Sequence, residues 1–385
     1  MVIGIEGNVH VGKTTYINDK YKDFNIIPEN IFDSNMNDYD RQLFYIKQEV
    51  DRKKKLTLNT VLDRNTVLDR TIISTTIYTI YSNSLSNIEK DNLCKIINQK
   101  KDNDEFIIPY NIYLILYPYK LICFNHQILL QDKGTQKQLV DYDYYIKYTT
   151  FFTNRNSSCN KILLTNDYRQ VLAYDNSIFN DLTKNIKTDY KIILDGCPAI
   201  GKTTIGKCQK KYFYIEEFKY KKYTLDDYSN QIDSIVERIN VLNKKNILLD
   251  TSFLMGITHL FYNNQPTQKL KLKMIDEIMS KVKLNSYITK VIYLTLNKEE
   301  VVRRKESDKN KRRNHFYENI NYLDMEIKFY KILDRRLGCL SNFHFIDASG
   351  SVDELIEKIE MIPNKTLLLI DLFYEIKEGI KEGEI

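Results

Sequence analysis

The chain of 385 residues is long for one domain and of ordinary length for two, and its 43% hydrophobic and 28% charged residues are typical of a soluble globular protein. Its six cysteines are scattered without a C-x-x-C pair, which argues against zinc and a disulfide framework and favours a reducing compartment. The net charge of +6 indicates a mild preference for anionic partners, and with no signal peptide and no apolar run of membrane-spanning length we expect a cytoplasmic protein without a membrane partner.

The first predicted element is a short apolar strand at residues 2–5, followed at once by a glycine-rich loop. The loop matches the phosphate-binding motif G-x-x-x-x-G-K-[ST] and precedes a stretch compatible with a helix. Its residues are Gly7, Asn8, Val9, His10, Val11, Gly12, Lys13 and Thr14. Backbone N–H groups of such a loop bind phosphate, the lysine supplies charge for the β- and γ-phosphates, and the threonine hydroxyl ligates Mg²⁺. The motif therefore predicts a site for ATP and Mg²⁺.

Polar residues then mark the ends of further predicted elements. An apolar strand at 24–27 runs into Pro28 and Glu29, and a carboxylate at that edge can act as a general base or hold a magnesium water. Residues 38–47 have the apolar spacing of a helix, and the basic run 52–55 is predicted to be its solvated end. The hexamer N-T-V-L-D-R occurs twice, and we assign the strand that ends in Asp69 and Arg70 to the second copy. Two more strands are predicted at 112–116 and 161–165, and residues 117–152 contain no arginine.

The second half repeats the first in the same order. A second phosphate loop follows an apolar run, and its first glycine lies 189 residues after Gly7. It consists of Gly196, Cys197, Pro198, Ala199, Ile200, Gly201, Lys202 and Thr203. Glu217 follows this loop as Glu29 follows the first, and the strand end at Asp250 mirrors Asp69. We therefore predict an α/β fold with two tandem P-loop NTPase-type domains, residues 1–186 and 187–385, each a parallel sheet flanked by helices.

A basic segment after the predicted strand at 291–294 has no counterpart in the first half. It contains Arg303, Arg304, Arg312 and Arg313, which would suit a mobile lid over phosphates. An exposed basic helix is the alternative. Beyond it, residues 343–348 are predicted to form a strand and Ser351 to cap a helix, whereas the apolar run at 366–370 is left unassigned.

These residues, taken in order, resemble the deoxynucleoside kinase and thymidylate kinase superfamily. The first half is similar to deoxynucleoside kinases in its I-E-G-N opening, its P-E pair, a helix glutamine at Gln42 and its D-R-T strand end. From the basic segment onward, the second half is more similar to thymidylate kinases, and residues 314–318 and 345–349 carry this likeness. The resemblance implies that Glu29 accepts the proton of the sugar hydroxyl, that Gln42 binds the acceptor base, and that Asp69 and Arg70 position magnesium and the reacting phosphate.

Carried onto the second half, the resemblance assigns catalysis to Lys202, Glu217 and Asp250 and acceptor binding to Gln231 and Arg238. Thr14 and Thr203 would ligate Mg²⁺, with Asp69 and Asp250 acting through water. The first half has Glu49 at the position of Arg238 and lacks lid arginines, and the second has Thr251 in place of Arg70. Neither half has the R-E-P-G-G loop typical of thymidylate kinases.

Three arrangements are open: two active halves, one active half with a scaffold, or arginines that cross between the halves of a covalent pseudo-dimer. We favour the first half as a working site. The predicted activity is transfer of the ATP γ-phosphate to thymidylate or to a deoxynucleoside such as thymidine. The alternative is a non-catalytic nucleotide- or nucleic-acid-binding protein built from degenerate kinase domains. A polynucleotide 5′-kinase is disfavoured, because the basic residues concentrate in one segment rather than along a groove.

Overall fold

The structure is a computed structural model, which describes residues 1–29, 36–58, 65–129, 141–155, 157–164, 168–185, 188–197, 199–217, 228–307 and 320–385. The chain divides into two compact units, Met1–Thr188 and Asp189–Ile385. Within the described residues, no helix combines the length and the apolar character needed to cross a membrane.

Unit 1, Met1–Thr188, is built on one sheet with helices around it. Its elements are β1 (Val2–Glu6), α1 (Lys13–Lys20), β2 (Asn25–Ile27), α2 (Asp38–Leu58), β3 (Thr66–Asp69), α3 (Ile72–Tyr81), α4 (Asn87–Asp102), β4 (Asn111–Leu116), α5 (Tyr119–Leu129), α6 (Tyr142–Thr153), β5 (Cys159–Leu164) and β6 (Gln170–Asp175). The strand order is β2-β3-β1-β4-β6-β5. The strands β2, β3, β1 and β4 are parallel, so the carboxyl ends of β1, β2 and β3 meet at one edge.

The sheet of unit 1 differs from the predicted parallel sheet at β6, which pairs antiparallel with both β4 and β5. Sequence patterns did not predict this strand. Only five residues separate β5 from β6, too few for the crossover helix that a parallel connection needs, so the chain returns as a hairpin. The strand β3 lies where the second copy of the duplicated hexamer was predicted to form one, and the first copy lies outside the described residues.

Unit 2, Asp189–Ile385, contains a parallel sheet with the order β12-β11-β7-β9-β8. Its elements are β7 (Lys191–Gly196), α7 (Lys202–Cys208), β8 (Phe213–Ile215), α8 (Tyr228–Asn240), β9 (Ile247–Asp250), α9 (Phe253–Asn264), α10 (Gln268–Lys281), β10 (Tyr287–Ile288), β11 (Lys290–Thr295), α11 (Lys298–Ser307), α12 (Ile320–Leu337), β12 (Phe343–Asp347), α13 (Val352–Met361), β13 (Leu367–Leu368) and α14 (Leu369–Lys381). The α/β fold class is confirmed, with a phosphate loop after the central strand of each main sheet.

The C-terminal apolar run, left unassigned from the sequence, belongs to the core of unit 2. Its first part is β13, which pairs antiparallel with β10. The helix that follows, α14, buries Leu369, Ile370, Phe373 and Ile376 completely. The predicted cap at Ser351 is confirmed, because its hydroxyl accepts from the Glu354 amide while the Glu354 carboxylate accepts from the Ser351 amide.

Candidate functional site

The two phosphate loops share an unusual backbone conformation. The first, fourth and sixth loop positions all have positive φ in both units. The angles are 154°, 59° and 83° at Gly7, His10 and Gly12, and 131°, 61° and 104° at Gly196, Ala199 and Gly201. Left-handed backbone at a non-glycine residue costs about 1–2 kcal/mol. Its occurrence at the same position of both loops indicates that each loop forms the same kind of cradle of N–H groups. Pro198 of the second loop lies outside the described residues.

Each loop lysine is buried and bonded to the backbone of its own loop. The Lys13 ammonium donates to the Asn8 carbonyl at 3.2 Å. The Lys202 ammonium donates to the carbonyls of Gly196 and Cys197 at 2.5 and 3.0 Å. Only 7% of either lysine is exposed, so both ammonium groups are held at the mouth of the loop, where the motif requires a cation.

The electrostatics of Lys13 show that the predicted residues of unit 1 converge. Burial, helped by the charge of Arg70, lowers the pKa of Lys13 to about 8. The charges of Glu29 and Asp69 act in the opposite direction. All four predicted catalytic residues of the first half therefore share one electrostatic environment.

The predicted magnesium residues meet in both units. The Thr14 hydroxyl donates to Asp69 Oδ2 at 3.0 Å, and the Thr203 hydroxyl donates to Asp250 Oδ2 at 2.8 Å. In unit 1 the second carboxylate oxygen, Asp69 Oδ1, is buried and accepts no hydrogen bond from the described residues. A buried carboxylate oxygen with free acceptor capacity beside a threonine hydroxyl fits a hydrated Mg²⁺.

The corresponding carboxylate of unit 2 is surrounded by protein donors. Besides Thr203, Asp250 Oδ2 accepts from the Tyr214 hydroxyl at 2.7 Å, and Oδ1 accepts from the Thr251 hydroxyl at 3.1 Å. In β8, Tyr214 pairs with Leu248 of β9. The equivalent residue of unit 1 is Ile26 of β2, which pairs with Val67 of β3. Because Ile26 has no hydroxyl, this position of unit 1 cannot donate to Asp69 as Tyr214 donates to Asp250.

The predicted base of unit 1 is tied to the strand-end arginine. Arg70 Nε lies 2.6 Å from Glu29 Oε1, and Arg70 Nη1 donates to the Ser74 hydroxyl at 3.2 Å. Burial acts to raise the pKa of Glu29, but the charges of Arg70 and Lys13 hold it below its ordinary value. Glu29 is therefore ionised at neutral pH and able to accept a proton or a hydrogen bond.

The backbone twist at this strand end is also shared, although the side chain is not. Arg70 and Thr251 have φ values of 62° and 63°. Unit 2 therefore presents a short hydroxyl where unit 1 presents a guanidinium. Glu217, the counterpart of Glu29, is half-buried after β8.

The prediction of a solvated helix end at residues 52–55 is wrong for Arg52. The helix α2 continues to Leu58, so Arg52 lies one turn beyond Glu49 on the face that meets the sheet, and only 5% of it is exposed. Burial raises the pKa of Glu49 to about 7, against the charge of Arg52, which contacts it at 2.7 Å. The Arg52 guanidinium also donates to the backbone oxygens of Ile27, Pro28, Asp69 and Arg70 at 3.1–3.3 Å.

Arg238 of unit 2 contacts the strand end that corresponds to the one held by Arg52. It is 2% exposed, and its Nη1 donates to the carbonyls of Asp250, at 2.8 Å, and of Thr251. Both arginines thus hold the strand end that carries the aspartate. Unit 1 has Glu49 at the position of Arg238, and Arg52 supplies the arginine at the strand end from the next turn of α2. The acceptor-binding role of Arg238 stays a prediction.

A carboxylate just before each loop is a further common feature that the sequence analysis gave no role. Glu6 accepts from the Thr71 amide and hydroxyl at 2.8 and 2.7 Å and from the Tyr148 hydroxyl at 2.6 Å. Asp195 accepts in the same way from Ser252 and from the Tyr330 hydroxyl at 2.6 Å. An acidic residue at the end of an apolar strand, directly before the glycine, is the signal that could have revealed it.

The remaining predicted residues are two helix glutamines and the arginines of the basic segment. Gln42 is buried in α2 and accepts from the Thr79 hydroxyl at 3.4 Å, and Gln231 is half-buried in α8. In α11, Arg303 and Arg304 both pair with Glu300, at 2.6 and 2.8 Å. Arg312 and Arg313 lie outside the described residues.

A cavity of about 520 Å³ opens where β11 and β12 end. Glu300 and Arg304 line it on one side and Asp347 and Ser349 on the other. Arg304 Nη2 donates to the Ala348 carbonyl at 3.2 Å, so this predicted lid arginine lies at the carboxyl edge of the sheet.

Unit 1 has an arginine at its loop that sequence patterns did not reveal. Arg169, directly before β6, donates from Nε to the Val11 carbonyl at 2.7 Å. A Cβ placed on Gly12 would lie 3.0 Å from its Nη2. The guanidinium also lies over the Tyr117 ring, 4.7 Å from its centroid. Although residues 117–152 lack arginine, the first loop therefore has a cation beside it, brought there by the hairpin.

Several solved structures are similar to this chain. A deoxyadenosine kinase from M. mycoides with bound dCTP is 23% identical over 44% of this chain and 96% of that chain, with a TM-score of 0.35. A thymidylate kinase from Candida albicans is 16% identical over 48% and 100%, with a TM-score of 0.33. The NadR protein in complex with NR is 12% identical over 94% and 96%, with a TM-score of 0.30. No protein-family model and no curated protein matches the chain.

Proposed function

We propose that the chain is an ATP-dependent kinase in which unit 1 transfers the γ-phosphate of ATP to thymidylate or to a deoxynucleoside such as thymidine. The observation that carries the proposal is the convergence of Lys13, the Thr14–Asp69 pair and the Glu29–Arg70 pair at the carboxyl edge of one parallel sheet. This is the set of groups that phosphoryl transfer requires: a phosphate cradle, a metal carboxylate, a cation and a base.

Each group has a task in that reaction. The loop amides and Lys13 hold the β- and γ-phosphates. Thr14 and Asp69 would hold Mg²⁺, which neutralises phosphate charge when bound. Arg70 stabilises the charge on the group in transfer, and the ionised Glu29 accepts the proton of the acceptor hydroxyl. Gln42 is the proposed contact of the acceptor base.

The two halves would correspond to a deoxynucleoside kinase-like domain at residues 1–186 and a thymidylate kinase-like domain at 187–385. The second loop would also bind ATP, with the arginines of the basic segment as a lid, whereas catalysis by Lys202, Glu217 and Asp250 stays a prediction from the sequence. A cytoplasmic location and a pseudo-dimer within the chain stay predictions.

A non-catalytic nucleotide-binding role is the second candidate, and for unit 2 a specific observation favours it. Asp250 is bonded to Tyr214 as well as Thr203, and Thr251 replaces the strand-end arginine. We therefore assign transfer to unit 1 alone.

The test is a panel of nucleosides and nucleoside monophosphates incubated with labelled ATP and the full chain. We expect one acceptor class to be phosphorylated by the wild type and by Lys202→Ala, but not by Lys13→Ala. The proposal fails if no acceptor is phosphorylated above the level of the Lys13→Ala, Lys202→Ala double variant.

A further inference from the structure

We infer that unit 2 binds the phosphates of a nucleoside triphosphate without magnesium, as a holding site that does not transfer phosphate. The inference rests on the proposal that the second loop binds nucleotide, but it is independent of transfer by unit 1. Its basis is a contrast within unit 2. The second phosphate loop is intact, whereas the carboxylate beside it, Asp250, does not fit Mg²⁺.

The acceptor capacity of the two carboxylates differs. A carboxylate offers about four lone-pair positions for donors or metal-bound water. Asp69 receives a side-chain hydroxyl from Thr14 on one oxygen, and its other oxygen accepts nothing from the described residues. Asp250 receives three hydroxyls, from Thr203, Tyr214 and Thr251, on both oxygens. Little capacity is therefore left in unit 2 for the waters that Mg²⁺ keeps around it.

Tyr214, whose hydroxyl donates to Asp250, is held in place from two sides. Its backbone is in β8, paired with β9, and its ring lies over Gly206 of α7, where an added Cβ would be 2.0 Å from the ring. Its hydroxyl donates to Asp250 Oδ2 at 2.7 Å. Displacement of this hydroxyl by a metal-bound water would require the ring to move away from its packing on α7.

Phosphate binding in unit 2 has other positive groups available. Lys202 is held in the second loop in the same manner as Lys13 in the first. Arg304, which pairs with Glu300, is near enough for its charge to act on Cys197, the second residue of the loop. Two protein cations and the loop amides can neutralise part of a phosphate chain, and binding of that kind does not need a divalent ion.

The experiment compares ATP affinity with excess Mg²⁺ and with EDTA, by titration calorimetry on the full chain. Lys13→Ala isolates the second loop and Lys202→Ala isolates the first. We expect the affinity of Lys13→Ala for ATP to change by less than about threefold on removal of Mg²⁺, and that of Lys202→Ala to fall by about tenfold or more. Thermal unfolding checks that each variant is folded.

Tyr214→Ile supplies the matched variant, because unit 1 has Ile26 at that position. In the Lys13→Ala background, Tyr214→Ile is expected to make ATP binding stronger with Mg²⁺ than with EDTA. Tyr214→Phe, which loses only the hydroxyl, is expected to change the ratio of the two affinities in the same direction. The inference is overturned if folded Lys13→Ala binds no ATP, if its affinity falls with EDTA as that of Lys202→Ala does, or if Tyr214→Ile gains no response to Mg²⁺. Transfer by Lys202→Ala tests the kinase proposal separately.

Discussion

The two units share the backbone conformation of the phosphate loop and of the strand end beside it, and they differ in the side chains presented there. Their loops have positive φ at the same three positions, and their strand ends share a left-handed residue with φ of 62° and 63°. A buried arginine holds that strand end in each unit, Arg52 in one and Arg238 in the other. At the left-handed position itself, however, unit 1 has Arg70 and unit 2 has Thr251.

This difference separates binding from transfer. Holding a phosphate chain needs backbone amides and one lysine, and both units keep them. Transfer needs in addition a free metal carboxylate and a cation at the moving group, which unit 1 provides through Asp69 and Arg70. The comparison can be tested at each residue at which the units diverge.

The largest effect is expected at Arg70. Arg70→Ala removes the positive charge beside Glu29, and positioned arginines contribute about 10³-fold or more to phosphoryl transfer, so kcat should fall by about that factor with little change in ATP affinity. Steady-state kinetics with the acceptor found in the panel measures it. The kcat of Arg70→Lys, which keeps the charge but not the planar guanidinium, should lie between those of the wild type and Arg70→Ala. A kcat within a few fold of wild type for Arg70→Ala would place the essential cation elsewhere, with Arg169 as the first candidate.

The second effect concerns the buried arginines. Arg52→Met leaves Glu49 buried without its cation and removes the arginine donor of four backbone oxygens, which should cost about 3–5 kcal/mol of unfolding free energy. Arg238→Met leaves the carbonyls of Asp250 and Thr251 without their arginine donor, at about 1–3 kcal/mol each. Urea unfolding followed by circular dichroism measures both. Replacing Glu49 by leucine together with Arg52→Met should recover part of the loss. An unchanged unfolding midpoint for Arg52→Met would show that Arg52 is solvated, as the basic run at residues 52–55 predicted.

Arg52 also marks where inference from the sequence stops. The phosphate loops, the parallel strands and the Thr14–Asp69 contact follow from motifs whose spacing and backbone requirements are local. The burial of Arg52 does not, because its neighbours Lys53, Lys54 and Lys55 make it look like part of a charged surface. Only the length of α2 and its packing on the sheet decide which of the four basic side chains faces inward.

The same limit applies to Arg169 and Tyr214. Arg169 reaches the first loop because β6 returns antiparallel beside β4, and that pairing is non-local. Tyr214 is one aromatic residue in a short strand, and its hydroxyl meets Asp250 only through the register of β8 with β9. Local patterns predict elements and motifs, whereas contacts between elements depend on register and tertiary packing.

The third effect is expected at Glu29. Glu29→Gln keeps the shape of the side chain but removes the proton acceptor, and general bases typically contribute about 10²-fold or more. We expect kcat to fall by about that factor while ATP affinity is retained, since the loop is unchanged. Glu217→Gln is the matching change in unit 2. If it lowered kcat as much as Glu29→Gln does, unit 2 would also transfer phosphate, and the contrast between the units would be wrong.

The smallest effect is a pH dependence that belongs to Lys13. Bound phosphate favours the ammonium form, and in the free protein burial and Arg70 lower the pKa of Lys13 to about 8. Below that pH the lysine is already charged and ATP affinity should be flat. Above it, binding must take up a proton, so the dissociation constant should rise by up to about tenfold per pH unit. Calorimetry on Lys202→Ala between pH 7.5 and about 9.5, in two buffers of different ionisation enthalpy, measures both the rise and the proton uptake. Lys13→Arg stays charged throughout. It should therefore bind with no such pH dependence, and a flat profile for Lys13 itself would mean that the ammonium is not desolvated in the loop.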